Sequence, residues 1–356
     1  MRTNVLIIGG GPAALEAALA LHRLAADQVD VTVLAPEAEF IYRPLSVLEP
    51  FSAGGGITYP LERIAEDAGF THVRGRLARV DAKSREVHTV TGEKLAYDAL
   101  LIASGARPVV PFSGAVPFSG SITDQERLHG IVQDVEGGYI RSLAFVVPPG
   151  ATWSLPLYEL ALMMAGRAFE MGVAVDLHFV TPESTPLERF GEAVSHELRG
   201  LLDLAGIKTH YGLEWTPRML DVQRVITLPR LEGPAITGLP SDENGFLAAD
   251  EFGRVTAGVY AAGDVTSYPV KQGGIACQQA DAAASLIAAS AGAPVRPQPF
   301  TPELRGLLLT EHWARYLKPS GGASTLATRG LSWPPSKIAG RELAGYLKTL
   351  EPITLR

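Results

Sequence analysis

Four apolar residues, Val5-Leu6-Ile7-Ile8, run straight into Gly9-Gly10-Gly11-Pro12, and an alanine-rich helical pattern, Ala13-Ala14-Leu15-Glu16-Ala17-Ala18, follows at once. A buried parallel strand, a tight turn and a helix in that order make the opening of a dinucleotide-binding βαβ unit. Gly9 turns the chain sharply, Gly11 removes a side chain where a pyrophosphate must approach, and Ala14 keeps the helix close to the strand. Free N–H groups and the positive end of the helix dipole would then hold phosphate. The competing reading is an ordinary glycine-rich strand-to-helix turn.

At 356 residues the chain has room for two domains and a tail. A net charge of −7 with no basic run argues against a nucleic-acid surface. The longest apolar stretches, such as 155–165, are too short or too interrupted to cross a bilayer. No charged leader and apolar segment precede the first strand, which predicts a cytoplasmic protein. A single cysteine, Cys277, leaves no disulfide, CxxC pair or thiolate cluster within one chain.

Along the chain, 5–8, 12–24 and 31–34 read as strand, helix and strand. The acid expected at the end of the second strand to hold a ribose is displaced to Glu37, behind Pro36. Either Glu37 reaches back, or backbone and water hold the ribose. Phe40-Ile41-Tyr42-Arg43-Pro44-Leu45 reads as a loop that packs beside a bound ring or under the domain edge. Ser52-Ala53-Gly54-Gly55-Gly56 follows no strand and reads as a connection. Period-two segments at 73–80, 86–90 and 94–96 predict a small antiparallel meander. It ends in the buried strand Tyr97-Asp98-Ala99-Leu100-Leu101-Ile102-Ala103-Ser104-Gly105.

A second βαβ pattern spans 142–212, with strands at 143–147, 173–180 and 207–211 and helices at 156–171 and 192–205. Its turn is Val147-Pro148-Pro149-Gly150-Ala151-Thr152-Trp153-Ser154. One glycine remains, two prolines cannot donate N–H groups, and Trp153 would occupy pyrophosphate space. Such a turn is a poor cradle for a pyrophosphate. Beyond it, Gly258-Val259-Tyr260-Ala261-Ala262-Gly263-Asp264 leads to Lys271 and a helix from Gly274 to Ala291. In the tail, 305–310 and 312–317 read as short strands, and a short helix reaches Lys348 after Trp333-Pro334-Pro335.

The opening glycine turn, the Tyr97-to-Gly105 stretch and the Gly258-to-Asp264 stretch, in that order, resemble the two-dinucleotide-binding-domain flavoproteins, the pyridine nucleotide–disulfide oxidoreductase superfamily. Over residues 1 to about 290 the chain is similar to the branch of sulfide:quinone oxidoreductases, flavocytochrome c sulfide dehydrogenases and type II NADH dehydrogenases. The resemblance implies an α/β fold of two Rossmann-like domains, the second inserted in the first. A cofactor domain would comprise 1–113 and 238–298, a degenerate NAD(P)-binding-like domain 114–237, and a tail 299–356. It implies FAD held by Gly9, Gly10, Gly11, Pro12, Ala13, Ala14, Glu37, Arg43, Pro44, Leu77, Ala103, Ser104, Gly105, Gly263, Asp264, Gly274, Ile275 and Ala276. Asp264 would accept hydroxyls of the ribityl chain or else cap a following helix. The helix from Gly274 would point its N-terminus at the flavin pyrimidine oxygen, or simply pack.

A disulfide reductase, or sulfide oxidation as the relatives perform it, needs two cysteines. The expectation is therefore an FAD oxidoreductase working through flavin N5 without redox cysteines, with a small-molecule donor and acceptor, a quinone among them. The alternatives are a type II NAD(P)H dehydrogenase-like enzyme with a loosely held nicotinamide, and a non-catalytic flavin-binding partner or sensor. Lys271 would stabilise an anionic ring or an acidic substrate, or be a solvated loop residue. Cys277 would form a persulfide or flavin adduct, or pack as a small core residue. The histidines, on separate elements, predict no metal site. Membrane contact is peripheral at most, and a homodimer is compatible with the chain.

Overall fold

A computed structural model of the chain describes residues 2–51, 57–151, 153–310, 314–319, 326–327, 337–338, 340–350 and 353–354. The helices are α1 (Pro12–Ala25), α2 (Leu61–Ala68), α3 (Ile122–Glu136), α4 (Leu155–Glu170), α5 (Glu192–Leu204), α6 (Gly273–Ser290) and the short α7 (Leu343–Leu347). None among the described residues is long and apolar enough to cross a membrane.

The first sheet has six strands in the order Arg254–Thr256, Val259–Ala261, Ala99–Ile102, Thr3–Ile8, Val29–Ala35, Thr71–Arg74. Every pair is parallel except the outermost, Arg254–Thr256 against Val259–Ala261. Both faces are buried, which is why Val5–Ile8 is apolar throughout rather than alternating. Val5, Ile7, Val33 and Leu101 face α1 and α6. Leu6, Ile8, Leu34 and Leu100 face a second core with Val80, Val87 and Leu239. That second core lies under a three-stranded antiparallel sheet, Leu77–Asp81, Glu86–Thr89 and Lys94–Ala96.

The predicted strand over 73–80 is two strands. Thr71–Arg74 joins the parallel sheet against Thr32–Ala35, and Leu77–Asp81 begins the meander. Gly75 marks the break; a Cβ there would press on Leu34 at 2.9 Å.

The second sheet is wholly parallel, in the order Val116–Pro117, Arg224–Thr227, Ser142–Val146, Asp176–Thr181, Lys208–Tyr211. The chain passes from the first sheet to the second and back along one antiparallel ribbon, Arg107–Val109 against Arg230–Glu232. After α6, Gly306–Leu309 and Ala314–Leu317 form a hairpin that packs on α4. The readings at Ser52–Gly56 and at 333–335, and the start of the tail strand at His312, lie outside the described residues.

Candidate active site

The three recognised stretches converge at one end of the first sheet. Gly9 has φ +121°, and a Cβ there would overlap the Ala103 carbonyl oxygen. Only glycine lets the turn sit so close to the end of the central strand. Gly263, at φ +82°, is wedged between the methyls of Ala13 and Ala276, at 3.2 and 3.3 Å from where its own Cβ would stand. The starts of α1 and α6 therefore meet across a single glycine. Gln279 Oε1 accepts the Gly263 N–H at 2.8 Å and fixes the arrangement.

Gly11 is different. It caps α1 with extended backbone, no side chain caps the helix, and a Cβ there would meet nothing within 4 Å. Among the described residues nothing requires a glycine at this position, and the helix end is open to an anion. Glu37 is exposed, and its carboxylate turns back toward the turn, 3.8 Å from where a Cβ of Gly10 would lie.

Asp264 lies half-buried on the same side, and its carboxylate takes no hydrogen bond from any described residue. Burial pushes its pKa up, while the charges of Lys271 and Arg43 pull it back. No helix starts at this point, since α6 begins nine residues later, so the helix-cap alternative for Asp264 is overturned. A carboxylate in this setting fits a ligand that brings hydroxyl donors.

Lys271 is not a solvated loop lysine. It is 8% exposed, its Nζ donates to the Thr266 carbonyl, and it stands 3.9 Å over the Phe246 ring. Burial lowers its pKa to about 8 despite Asp264 and Asp242. It thus acts on the site through its field at Asp264. Cys277 is fully buried between α6 and α1, its Sγ 3.7 Å from the Pro12 carbonyl. Burial and the Glu16 carboxylate push the thiol pKa well up. This corrects the catalytic reading of Cys277, since a thiol held neutral and enclosed is a packing group.

At the start of α6, Gln272 accepts the Ile275 N–H at 3.1 Å and donates to the Arg305 carbonyl at 2.7 Å. One of the helix's free donors is therefore already satisfied; Gly274 and Ala276 are buried beside it. Phe40 and Tyr42 are core residues stacked with Tyr59 or edge-on to one another, so they pack under the domain edge and not beside a ring. Arg43 is exposed, Pro44 lies beside it in the 3-10 turn Arg43–Phe51, and Ser104 is exposed at the strand end before Gly105. Leu77 packs on the second core.

The second glycine turn is closed by side chains. Trp153 packs on Phe190, ring centres 5.8 Å apart, beside a cavity of about 170 Å³. Glu183, just past the strand Asp176–Thr181, accepts from Ser154 Oγ (2.9 Å), Tyr158 OH (2.8 Å) and Thr181 Oγ1 (3.1 Å). Three of its roughly four acceptor sites are engaged within the chain. The sequence reading missed this network; an acid two residues past the strand, behind Pro182, was the available signal. His178 and His210, on separate strands, do meet at 3.1 Å, but no three metal-ligating side chains gather among the described residues.

An open anion cradle, a receptive carboxylate and two helix starts joined across a glycine make a site of the kind that suits a dinucleotide cofactor, on a fold of two Rossmann-like sheets. Residues 3–150 match the family described as pyridine nucleotide-disulphide oxidoreductase. An NADH dehydrogenase-like protein of Mycobacterium tuberculosis is 28% identical over 299 residues, covering 74% of this chain and 73% of that protein. The sulfide-quinone reductase of Aquifex aeolicus is 27% identical over 192 residues, 51% of this chain and 44% of that one. The crystal structure of sulfide:quinone oxidoreductase from Aquifex aeolicus superposes with a TM-score of 0.80 at 17% identity, covering 91% of this chain and 86% of that chain. A ferredoxin reductase from Rhodopseudomonas palustris gives 0.67, also at 17%, covering 88% and 82%. Residues 3–150 thus match the pyridine nucleotide-disulphide oxidoreductase family, and the chain shares the two-domain fold of sulfide:quinone oxidoreductase.

Proposed function

We propose that the chain moves two electrons between a small-molecule donor and acceptor, with a quinone among the acceptors, and does so without redox cysteines. The observation that carries this is the pairing of open space at Gly11 with the unpartnered carboxylate of Asp264 across Gly263. FAD, when bound, supplies a ring able to accept a hydride. The turn Gly9–Ala14 would hold its phosphates, Glu37 and Leu77 would flank the adenosine side, and Asp264 would accept hydroxyls. Arg43, Pro44, Ala103, Ser104, Gly105, Gly274, Ile275 and Ala276 would surround the remainder. Beside these residues the charge of Lys271 favours the ionised form of Asp264 against the effect of burial, and the start of α6 would add its N-terminal dipole.

The purified protein is expected to be yellow. Anaerobic mixing with sulfide, NADH or NADPH then names the donor by which one bleaches the flavin band. A colourless protein that stays colourless after reconstitution ends this reading. Bound flavin that no donor bleaches favours a binding or sensor role instead.

A second reading, a loosely held nicotinamide donor, is supported by the likeness to an NADH dehydrogenase-like protein and by the small cavity at Trp153. Bleaching by NADH at millimolar but not micromolar concentration would select it.

A further inference from the structure

The structure assigns to Glu16 and Asp281 the role of a pH-sensitive clamp that docks the C-terminal strap, residues 340–347, across the two cofactor-facing helices and releases it as the pair loses its shared proton. Glu16, on α1, is completely buried in an otherwise alanine-rich helix. Its Oε1 accepts the backbone N–H groups of Arg341 (2.7 Å) and Glu342 (2.8 Å), and its Oε2 that of Leu343 (2.8 Å). Three successive amides of one segment converge on one carboxylate from another helix. Asp281, on α6, lies beside the same carboxylate, and it also reaches the strap, 3.9 Å from the Arg341 guanidinium.

The strap lies directly on both helices. A Cβ at Gly340 would come within 2.6 Å of Glu16 Oε2 and 3.2 Å of Cys277 Sγ. Just before it, Ile338 covers Gly273 at the start of α6, beside Pro12 at the start of α1. Release of the strap would therefore loosen the cover over both helix starts.

Two carboxylates buried in contact cannot both ionise cheaply. Burial and Glu16 raise the Asp281 pKa to about 7, so the docked state holds a proton that the released state gives up. The sign is fixed by that direction. Docking is strongest at acidic pH and weakens as pH rises to about 7. The other groups facing the pair are Cys277 on α6, its thiol pKa pushed well up, Arg341 at 3.9 Å from Asp281, Glu342, which pairs with Arg23 of α1 at 2.7 Å, and Tyr42, whose phenol burial also pushes up. Arg341 attracts Asp281 from the exposed side and only moderates the effect.

The clamp stands on contacts within the chain and does not depend on what the cleft binds. Hydrogen–deuterium exchange of the full-length protein, followed in peptides spanning 340–347 from about pH 5 to 8 and corrected for chemical exchange, tests it. Opening is expected to rise by up to tenfold per pH unit as pH climbs from the ordinary carboxylate range to about 7 and to level off above it, while peptides over Val5–Ile8 stay unchanged. Asp281→Asn, which keeps a donor to Glu16 and cannot ionise, is expected to hold the strap protected throughout. Flat protection in the wild type overturns the clamp, as does an Asp281→Asn variant with the wild-type slope. Should that variant not fold, the wild-type series decides alone.

Discussion

Lys337 places its ammonium 2.7 and 2.8 Å from the two carboxylate oxygens of Glu159, a residue of α4 with no solvent exposure. The Leu309 N–H completes the site at 2.8 Å. The pair ties together three pieces of chain far apart in sequence: the helix after the degenerate glycine turn, the tail hairpin and the segment leading to the strap. Removing one partner strands the other in a dry interior. Glu159→Ala is expected to cost about 3–5 kcal/mol in urea unfolding, and Glu159→Leu with Lys337→Met to recover most of it. A single variant within 1 kcal/mol of wild type, about the worth of an exposed pair, would show the pair to be solvated.

The two glycines of the opening turn should separate fold from ligand. Gly9→Ala forces a side chain into the Ala103 carbonyl at a positive φ and is expected to fail to fold or to lose several kcal/mol. Gly11→Ala meets open space, so its circular dichroism and midpoint should match wild type. Gly11→Glu should give a folded, colourless protein, because its carboxylate would meet the pyrophosphate. A yellow Gly11→Glu preparation would count against the cradle.

NAD⁺ should bind weakly at the second turn. Glu183 already accepts from Ser154, Tyr158 and Thr181, and Trp153 packs on Phe190 where the loop would need to open. Isothermal titration is expected to give a Kd above the micromolar range, less than about 8 kcal/mol of binding. A sub-micromolar endpoint would overturn this.

Lys271 makes stability depend on alkaline pH in a defined direction. Its folded pKa, about 8, lies below the usual lysine value, so the unfolded chain binds more protons between the two. The penalty for its buried charge is present below pH 8 and fades as pH rises through the window up to about 10.5. Unfolding midpoints of wild type minus Lys271→Met should therefore rise from pH 8 to 10. A flat difference would mean that Lys271 titrates as a solvated lysine does.

Cys277 should be silent. Iodoacetamide at pH 8 is expected to leave the native protein unmodified, and Cys277→Ala to hold donor-driven flavin reduction within about twofold of wild type. Rapid alkylation of the folded protein would return Cys277 to the candidate catalytic groups.

Local pattern and long-range pairing divide what could be read from the sequence. The strand Thr3–Ile8, helix α1 and helix α6 were legible because an apolar run, a glycine turn and small-residue periodicity are all local signals. Helix α2 carried a readable stripe, Leu61, Ile64, Ala65 and Ala68, ending at Gly69 in the left-handed region, and was passed over. So was α3, whose Ser121 side chain accepts the Asp124 N–H as a cap. The division at Gly75 was not legible, because it depends on Thr71–Arg74 finding Thr32–Ala35 across the sheet. Nor were Glu16 and Glu159. Each stands inside an apolar helix as an apparent misfit, and its partner lies more than 140 residues away.

The ribbon of Arg107–Val109 against Arg230–Glu232 has a consequence for how such a chain can change. Departure and return are hydrogen-bonded neighbours, so everything strung between them is an excursion with both ends pinned at one spot. A change at the turn 148–153 is thereby kept from the stretch where Gly9 meets Ala103 and Gly263 meets Ala13. One nucleotide fold can decay while its neighbour keeps its shape.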